Sequence, residues 1–108
     1  MMAMTLTGDP VLVRFRKALD EIYGNRIERV VLFGSRARGD AGAESDYDVA
    51  VFLRNMDDRG SELHRLADLA TDIIGDTGEF VHAMPYAAGA YNQRTPLMRE
   101  IRREGVDL

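Results

Sequence analysis

A chain of 108 residues with a net charge of −4 suffices for one domain over 1–108, and leaves no room for a second substrate-binding domain. The pI near 5.1 argues against a basic surface for duplex nucleic acid, so nucleic acid is not expected as a partner. There is no cysteine, no signal-peptide pattern and no apolar stretch approaching about 18 residues. We therefore expect a cytoplasmic protein without disulfides, thiolate metal sites or membrane contact.

The first predicted element is a helix that begins after Asp9 and ends at Gly24. Asp9 followed by Pro10 is typical of an N-cap with proline in the first turn. Apolar residues then recur at helical spacing and predict a buried stripe: Leu12, Phe15, Leu19 and Ile22. We expect this helix to cover one face of a sheet.

The central stretch begins with a predicted strand and a tight turn. The apolar run at residues 30–33 is short, contains β-branched and aromatic residues, and stops at Gly34. This pattern indicates a buried strand ending in a turn. Glycine lets the backbone come close to a ligand, and successive N–H groups in such a turn point at an anion. The hydroxyl of Ser35 adds one more donor. The turn is therefore a candidate phosphate site.

Two carboxylates open the second predicted strand, which runs over 49–53. Because side chains alternate in a strand, Asp46 and Asp48 share one face, about 6.6 Å apart at a rise of about 3.3 Å per residue. Two carboxylates brought within about 4 Å repel by about 4 kcal/mol at an effective dielectric of about 20, a cost that a bound divalent cation reverses. Oxygen ligands favour magnesium or manganese. The pattern predicts a site for a nucleoside triphosphate and a metal.

A second covering helix is predicted after the central stretch. A polar turn at 55–60 leads into residues 61–74, and Gly75 is expected to end the helix. Its apolar stripe consists of Leu63, Leu66, Ala70 and Ile73. His64 is expected on the polar side, where a lone histidine is more often solvated than catalytic.

A third strand and a last helix complete the predicted elements. Residues 79–84 indicate a strand that Pro85 ends, since proline cannot continue a central ladder. Residues 86–94 form either a loop or a short extra helix, and Thr95-Pro96 then starts a helix that Gly105 ends. Four residues either pack in the core or anchor another protein: Tyr86, Tyr91, Leu97 and Met98.

Gly34-Ser35, ten intervening residues and Asp46-x-Asp48 resemble the signature of the minimal nucleotidyltransferases of the DNA polymerase β superfamily. Residues 36–40 and the tail 101–108 also look typical of that family. The resemblance implies that Gly34 and Ser35 hold the β- and γ-phosphates of ATP, and that both aspartates bind Mg²⁺. The alternation of elements predicts an α+β fold, a mixed β-sheet of three or more strands. The helices from Asp9 and Ser61 should lie on one face and the metal site on the other.

The family normally carries a third carboxylate in the third strand, at positions that hold Val81 and His82 here. Glu79 shares a face with Val81 and is our candidate for this carboxylate, as a metal ligand or proton acceptor, although a turn-flanking role fits it equally well. His82 points to the opposite face by alternation and is the weaker substitute. Arg36, and less so Arg38, is a candidate phosphate ligand because a guanidinium matches phosphate oxygens.

Small stand-alone members of the family are antitoxins, and resemblance to them implies transfer of AMP from ATP to a tyrosine hydroxyl of a partner. That partner would be an all-helical HEPN-family ribonuclease toxin. Two alternatives stay open: a catalytically silent antitoxin that neutralises the toxin by binding, and a nucleotidyltransferase for small molecules, of the aminoglycoside type. The second alternative needs a homodimer, because one chain offers too little substrate-binding surface.

Overall fold

The computed structural model describes residues 8–39 and 46–108, and it confirms the predicted α+β fold. The strands are β1 (Ile27–Phe33), β2 (Tyr47–Leu53), β3 (Val81–Ala87) and β4 (Val106–Asp107). The helices are α1 (Pro10–Tyr23), α2 (Ser35–Arg38), α3 (Arg59–Thr77) and α4 (Pro96–Glu104), with 3₁₀ turns at Gly24–Arg26 and Ala90–Asn92. In these two described ranges, no helix has both the length and the apolar character to cross a bilayer. Asp40 and the rest of the spacer at 40–45 lie outside the described residues.

The sheet is mixed and has the strand order β3–β2–β1–β4. β2 lies antiparallel to β1, with Asp48 opposite Phe33, and parallel to β3, with Asp48 beside His82. Neighbours in register share a face, so these three side chains form one row across the sheet. β4, which has no counterpart in the sequence prediction, pairs with β1 at the outer edge.

Helices α1 and α3 cover one face of the sheet. The Asp9 carboxylate caps α1 by accepting the backbone N–H groups of Val11 and Leu12, and α1 ends at Gly24 as predicted. Buried side chains from both helices pack with residues of the first three strands into the main core: Leu12, Phe15, Leu19, Tyr23, Leu66, Leu69, Ile73, Val30, Leu32, Tyr47, Val49, Val51, Leu53 and Val81. Tyr47 and Val49 lie in this core, so alternation sends Asp48 to the opposite face. This confirms the predicted placement of the two helices relative to Asp48.

The opposite face of the sheet carries a smaller cluster beneath α4. Its buried members are Val31, Ala50, Phe52, Ala90, Met98 and Ile101. The ring of Phe52 lies 5.6 Å from the ring of Tyr86 and 5.6 Å from that of Tyr91. Met98 and both tyrosines thus pack against this cluster, whereas Leu97 is 40% exposed. Core packing is thus confirmed for Met98, Tyr86 and Tyr91, and contact of Leu97 with another protein stays a prediction.

Helix α3 is longer than predicted at both ends. Asp58 caps it by accepting the N–H of Ser61, which moves the start of the helix back to Arg59. The helix continues through Gly75, a residue costing about 1 kcal/mol relative to alanine in a helix interior. It ends at Gly78, whose φ of 77° suits glycine and whose N–H bonds the carbonyl of Ile74 at 2.8 Å.

Two further predictions from the sequence are wrong for tertiary reasons. Ile22 is 38% exposed, because the stripe of α1 continues from Leu19 to Tyr23 at a spacing of four residues. Pro85 lies inside β3 instead of ending it. Its carbonyl accepts Nε of Arg59 at 3.1 Å, so the backbone of Pro85 faces away from β2. On the outer side of an edge strand, the missing N–H removes no ladder hydrogen bond.

A buried carboxylate joins α1 to α3. Glu62 is 6% exposed and accepts the hydroxyl of Tyr23 and Nη2 of Arg26, each at 3.0 Å. Burial, reinforced by the bond to Glu62, raises the pKa of Tyr23. The hydroxyl therefore stays a neutral donor, and the carboxylate is satisfied as a buried charge must be.

Candidate active site

The Gly34-Ser35 turn lies where β1 ends. Gly34 has a φ of 77° and a ψ of −161°, a backbone conformation that is essentially restricted to glycine. Its carbonyl accepts the N–H groups of Ala37 and Arg38, both at 3.1 Å, so the chain turns directly into α2. The structure confirms the predicted strand and tight turn.

Gly34 lies against the carboxylate of Asp48. Phe33 is opposite Asp48 in the β1–β2 ladder, so the residue after Phe33 passes beside this side chain. A Cβ at Gly34 would lie 2.6 Å from Oδ2 of Asp48, closer than real Cβ contacts come. Glycine is thus needed here for its backbone conformation and for the space that the carboxylate fills. The two halves of the signature, far apart in sequence, are in direct contact.

His82 lies beside Asp48, with Nδ1 3.7 Å from Oδ1. The prediction that His82 points away from the site is wrong. Val81 is buried in the main core under the helices, so alternation sends His82 to the face of Asp48. Side chains alternate along β3 as predicted, but the faces are exchanged: Val81 lies on the helix-covered face and His82 on the face of Asp48. The Phe80 ring stacks on the imidazole, with centroids 6.1 Å apart and planes at 18°.

Asp46 lies immediately before β2 and is exposed. The N–H of Tyr47 donates to the carbonyl of Phe80 at 3.1 Å, which aligns this end of β2 with β3. Within 8–39 and 46–108, no three His, Asp or Glu side chains lie close enough to form a ready-made metal site. The available donors are the exposed carboxylate of Asp46, the carboxylate of Asp48 and the adjacent imidazole, and oxygen-rich donors of this kind fit a divalent cation.

Arg36 and Glu79 form an ion pair, with Nη2 3.5 Å from Oε1. The guanidinium also lies over the ring of Tyr47, 4.0 Å from its centroid. The hydroxyl of Tyr47 donates to Oδ2 of Asp9 at 2.9 Å. Burial, followed by this hydrogen bond, raises the pKa of Tyr47 to about 12. Tyr47 therefore connects Arg36 to Asp9, the N-cap of α1. No local sequence pattern predicts this connection.

The roles assigned to Arg36 and Glu79 from the sequence stay predictions. Glu79 precedes β3, which begins at Val81, so it is not part of the strand in which the sequence placed it. The face it was expected to share with Val81 is the helix-covered one, opposite Asp48, and its described ion pair is with Arg36, which lies over Tyr47. Arg38, the second candidate phosphate ligand, pairs with Glu104 of α4 at 3.0 Å.

Comparisons with known proteins point to one family. Residues 12–95 match the family model described as "Nucleotidyltransferase domain". The chain is 29% identical over 89 residues to "Putative protein adenylyltransferase MJ0604" of Methanocaldococcus jannaschii, a match covering 82% of this chain and 83% of that protein. It is 41% identical over 46 residues to "Putative protein adenylyltransferase MJ0141" of the same organism, covering 43% of this chain. That second match spans only 46% of the relative's own length.

Two solved structures share the fold. One, described as a "putative nucleotidyltransferase" from Sulfolobus solfataricus, has a TM-score of 0.64 at 17% identity, covering 90% of this chain and 75% of that one. The other, described as a "toxin-antitoxin with AMP-PNP", has a TM-score of 0.64 at 21% identity, covering 88% of this chain and 69% of that one. At these identities the likeness is one of fold. The tail at 101–108 lies beyond the family match, which ends at residue 95.

Proposed function

Because this chain belongs to the nucleotidyltransferase domain family, we propose that it is a magnesium-dependent protein adenylyltransferase. It transfers AMP from ATP to a hydroxyl of a toxin partner and thereby acts as an antitoxin. The observation that carries the proposal is the contact between Gly34 and the carboxylate of Asp48. This contact joins the turn suited to phosphates to the carboxylate suited to a cation.

The nature of the acceptor is supported by the relatives. Two carry the name "Putative protein adenylyltransferase", which favours a protein acceptor over a small molecule. The fold is shared with a structure described as a toxin–antitoxin, which favours a toxin as the partner. An HEPN-family ribonuclease as that toxin, and tyrosine as its modified residue, follow from the family resemblance alone.

In the proposed complex, Gly34 and Ser35 hold the β- and γ-phosphates of ATP. The N–H groups of this tight turn can point at the phosphates, and the hydroxyl of Ser35 donates a further hydrogen bond. Arg36 follows directly in the chain and is braced by Tyr47 and Glu79, which gives the turn a positioned positive charge.

Asp46, Asp48 and Glu79 form the proposed acidic set. Bound magnesium would neutralise phosphate charge and lower the pKa of the attacking hydroxyl. Asp48 is held by its contact with the turn and keeps 37% of its side chain exposed, so an acceptor can approach it. Asp46 adds a second carboxylate before the strand. Glu79, which forms an ion pair with Arg36, is proposed as the third carboxylate.

The transfer is a substitution at the α-phosphorus. The acceptor oxygen forms a bond to phosphorus, and the bond from phosphorus to the α–β bridging oxygen breaks. Pyrophosphate leaves with that electron pair, and the hydroxyl proton passes to the carboxylate of Glu79 or to water. Phosphoryl chemistry of this kind is accelerated mainly by positioning and charge, which are what a rigid turn and strand carboxylates supply.

The test is incubation of the protein with magnesium, ATP labelled at the α-phosphate and the protein encoded by the neighbouring gene. Mass spectrometry then maps any modified residue. We expect AMP on a tyrosine hydroxyl and loss of the partner's ribonuclease activity. Neutralisation of the partner without label would indicate the catalytically silent antitoxin. In a parallel incubation with an aminoglycoside, labelling of that small molecule alone would indicate the small-molecule enzyme. Either result contradicts the proposal.

A further inference from the structure

We propose that His82 is a nitrogen ligand of the cation that Asp48 binds, which makes the metal site of this chain a mixed oxygen and nitrogen site. The inference rests on the proposed function, because it concerns the cation of the same reaction. It adds to that function a donor that the carboxylates of the family signature do not include.

The β2–β3 ladder puts the two donors side by side. Asp48 and His82 are in register in a parallel pair, so both side chains project from the same face of the sheet. Nδ1 of His82 and Oδ1 of Asp48 are 3.7 Å apart, beyond the range of a normal hydrogen bond. Two ligands each about 2.1 Å from one cation lie about 3.0 Å apart in octahedral and about 3.4 Å apart in tetrahedral coordination, so a shift of a few tenths of an ångström by the exposed imidazole brings both donors onto one ion.

The imidazole is held in place without being buried. Its backbone is fixed within β3, and the ring stacks on Phe80 with planes at 18°. The His82 side chain is 55% exposed, so the ring is accessible to a hydrated ion. A ligand that is both oriented and accessible loses little conformational freedom on binding a cation.

The donor type determines which cations the site prefers. Magnesium takes oxygen ligands and keeps much of its water, whereas imidazole suits transition metals such as iron, nickel and zinc, and manganese, the first of that series, accepts a nitrogen donor more readily than magnesium does. Relative to a site of carboxylates alone, this one should favour Mn²⁺ over Mg²⁺. Replacing His82 by aspartate should shift that preference back towards Mg²⁺.

The chain offers a matched control, because it has two histidines. The second, His64, lies on α3 with 81% of its side chain exposed, and contacts Asp68 of the same helix at 3.6 Å. The full chain is loaded with Mn²⁺ alone, without nucleotide, and examined by pulsed electron paramagnetic resonance for coupling to an imidazole nitrogen. Titration with Mn²⁺ gives the Kd in the same samples.

We expect nitrogen coupling in the wild type and in His64→Gln, and its loss in His82→Gln and His82→Asp. The Kd for Mn²⁺ should rise about tenfold or more in His82→Gln and stay unchanged in His64→Gln. Melting curves check folding, and two substitutions at the exposed His82 guard against one misfolded variant.

Two outcomes overturn the inference in distinguishable ways. If Asp48→Asn abolishes Mn²⁺ binding but the wild type shows no nitrogen coupling, or His82→Gln retains it, the cation site stands and His82 is not its ligand. If the wild type binds no Mn²⁺ at all, the cation site of the proposed function fails together with the inference.

Discussion

Gly34 is the residue where the requirements of the fold and of the site coincide. Its conformation costs a residue with a side chain about 1 to 3 kcal/mol, and a Cβ would also displace the carboxylate of Asp48. We predict that Gly34→Ala loses stability of that size and weakens ATP binding about tenfold or more. Ser35→Ala, which removes only one donor, should weaken binding less. Melting curves and calorimetry with ATP and magnesium measure both effects.

Gly24 provides the control for Gly34. It has a similarly restricted backbone, with a φ of 54° and a ψ of −127°, yet a Cβ there would meet nothing within 4 Å. Gly24→Ala should therefore lose comparable stability and bind ATP like the wild type. Wild-type affinity for ATP in Gly34→Ala would show that this turn does not cradle the phosphates.

Glu79→Gln tests the third carboxylate. The amide keeps the size of the side chain and leaves the contacts of the triphosphate with Gly34 and Ser35, but it removes a charge needed mainly in the transition state. We predict that turnover falls on the order of a hundredfold while the Kd for ATP changes little.

The matched change for Glu79 is Asp107→Asn, in the Arg29–Asp107 ion pair at the opposite edge of the sheet, with 3.1 Å between the charged atoms. It should alter neither turnover nor affinity. Unchanged turnover in Glu79→Gln would leave this residue only its ion pair with Arg36.

Individual residues differ in how far the sequence predicts their roles. Gly34 and Asp48 are predictable as a pair because the signature names both, and the structure brings them into contact. His82 is not, because alternation within one strand relates its residues to each other and leaves open which face meets the core. The burial of Val81 decides that question, and burial is a property of the packed sheet.

At the scale of elements, the start of α1 is anchored to the start of β2. One oxygen of Asp9 caps the helix and the other accepts the hydroxyl of Tyr47. The pKa of Tyr47 is raised from 10.0 to about 12, chiefly by burial. The hydroxyl therefore ionises less readily in the folded protein than in the unfolded chain.

This pKa predicts a loss of stability in alkali. The folded-state pKa exceeds the unfolded one, so the contribution of Tyr47 is complete below about pH 10 and disappears as the pH rises towards about 12. A pKa difference of about 2 between the folded and the unfolded state corresponds to roughly 2 to 3 kcal/mol in the free energy of unfolding. Tyr47→Phe should cost about 1 kcal/mol at pH 8 through the lost hydrogen bond, and should lose less stability than the wild type above pH 10. Part of the loss should remain, because the pKa of Tyr23 is raised as well.

Urea denaturation from pH 8 to 11 checks the prediction for Tyr47. Equal losses of stability in Tyr47→Phe and in the wild type would contradict it.

The observed boundaries of helices and strands agree with the predicted ones where a local residue pattern determines them. Asp9-Pro10 and Thr95-Pro96 start α1 and α4 as predicted, because a cap and a proline act within one turn. β4 is two residues long and exists only by pairing with Val31 and Leu32, so no periodicity announces it. The passage of β3 through Pro85 depends likewise on its position at the edge.

At the scale of the molecule, one face of a small sheet carries the main core and the other is available to ligands. Two helices bury the first face, while α4 covers the second only in part. The family signature and the alternation of elements predict this division. The mixed character of the sheet is also predicted and confirmed, but the strand order, with β2 between an antiparallel and a parallel neighbour, is not predictable because pairing is set by long-range packing.

The measurement that tests the central claim most directly is AMP transfer and thermal unfolding of one preparation of Asp48→Asn. Removing a charge from an acidic group without bound metal should leave the melting temperature unchanged or slightly higher. Magnesium-dependent transfer to the partner should fall below detection, while Asp107→Asn transfers AMP like the wild type. A folded Asp48→Asn protein that transfers AMP at the wild-type rate would contradict the account.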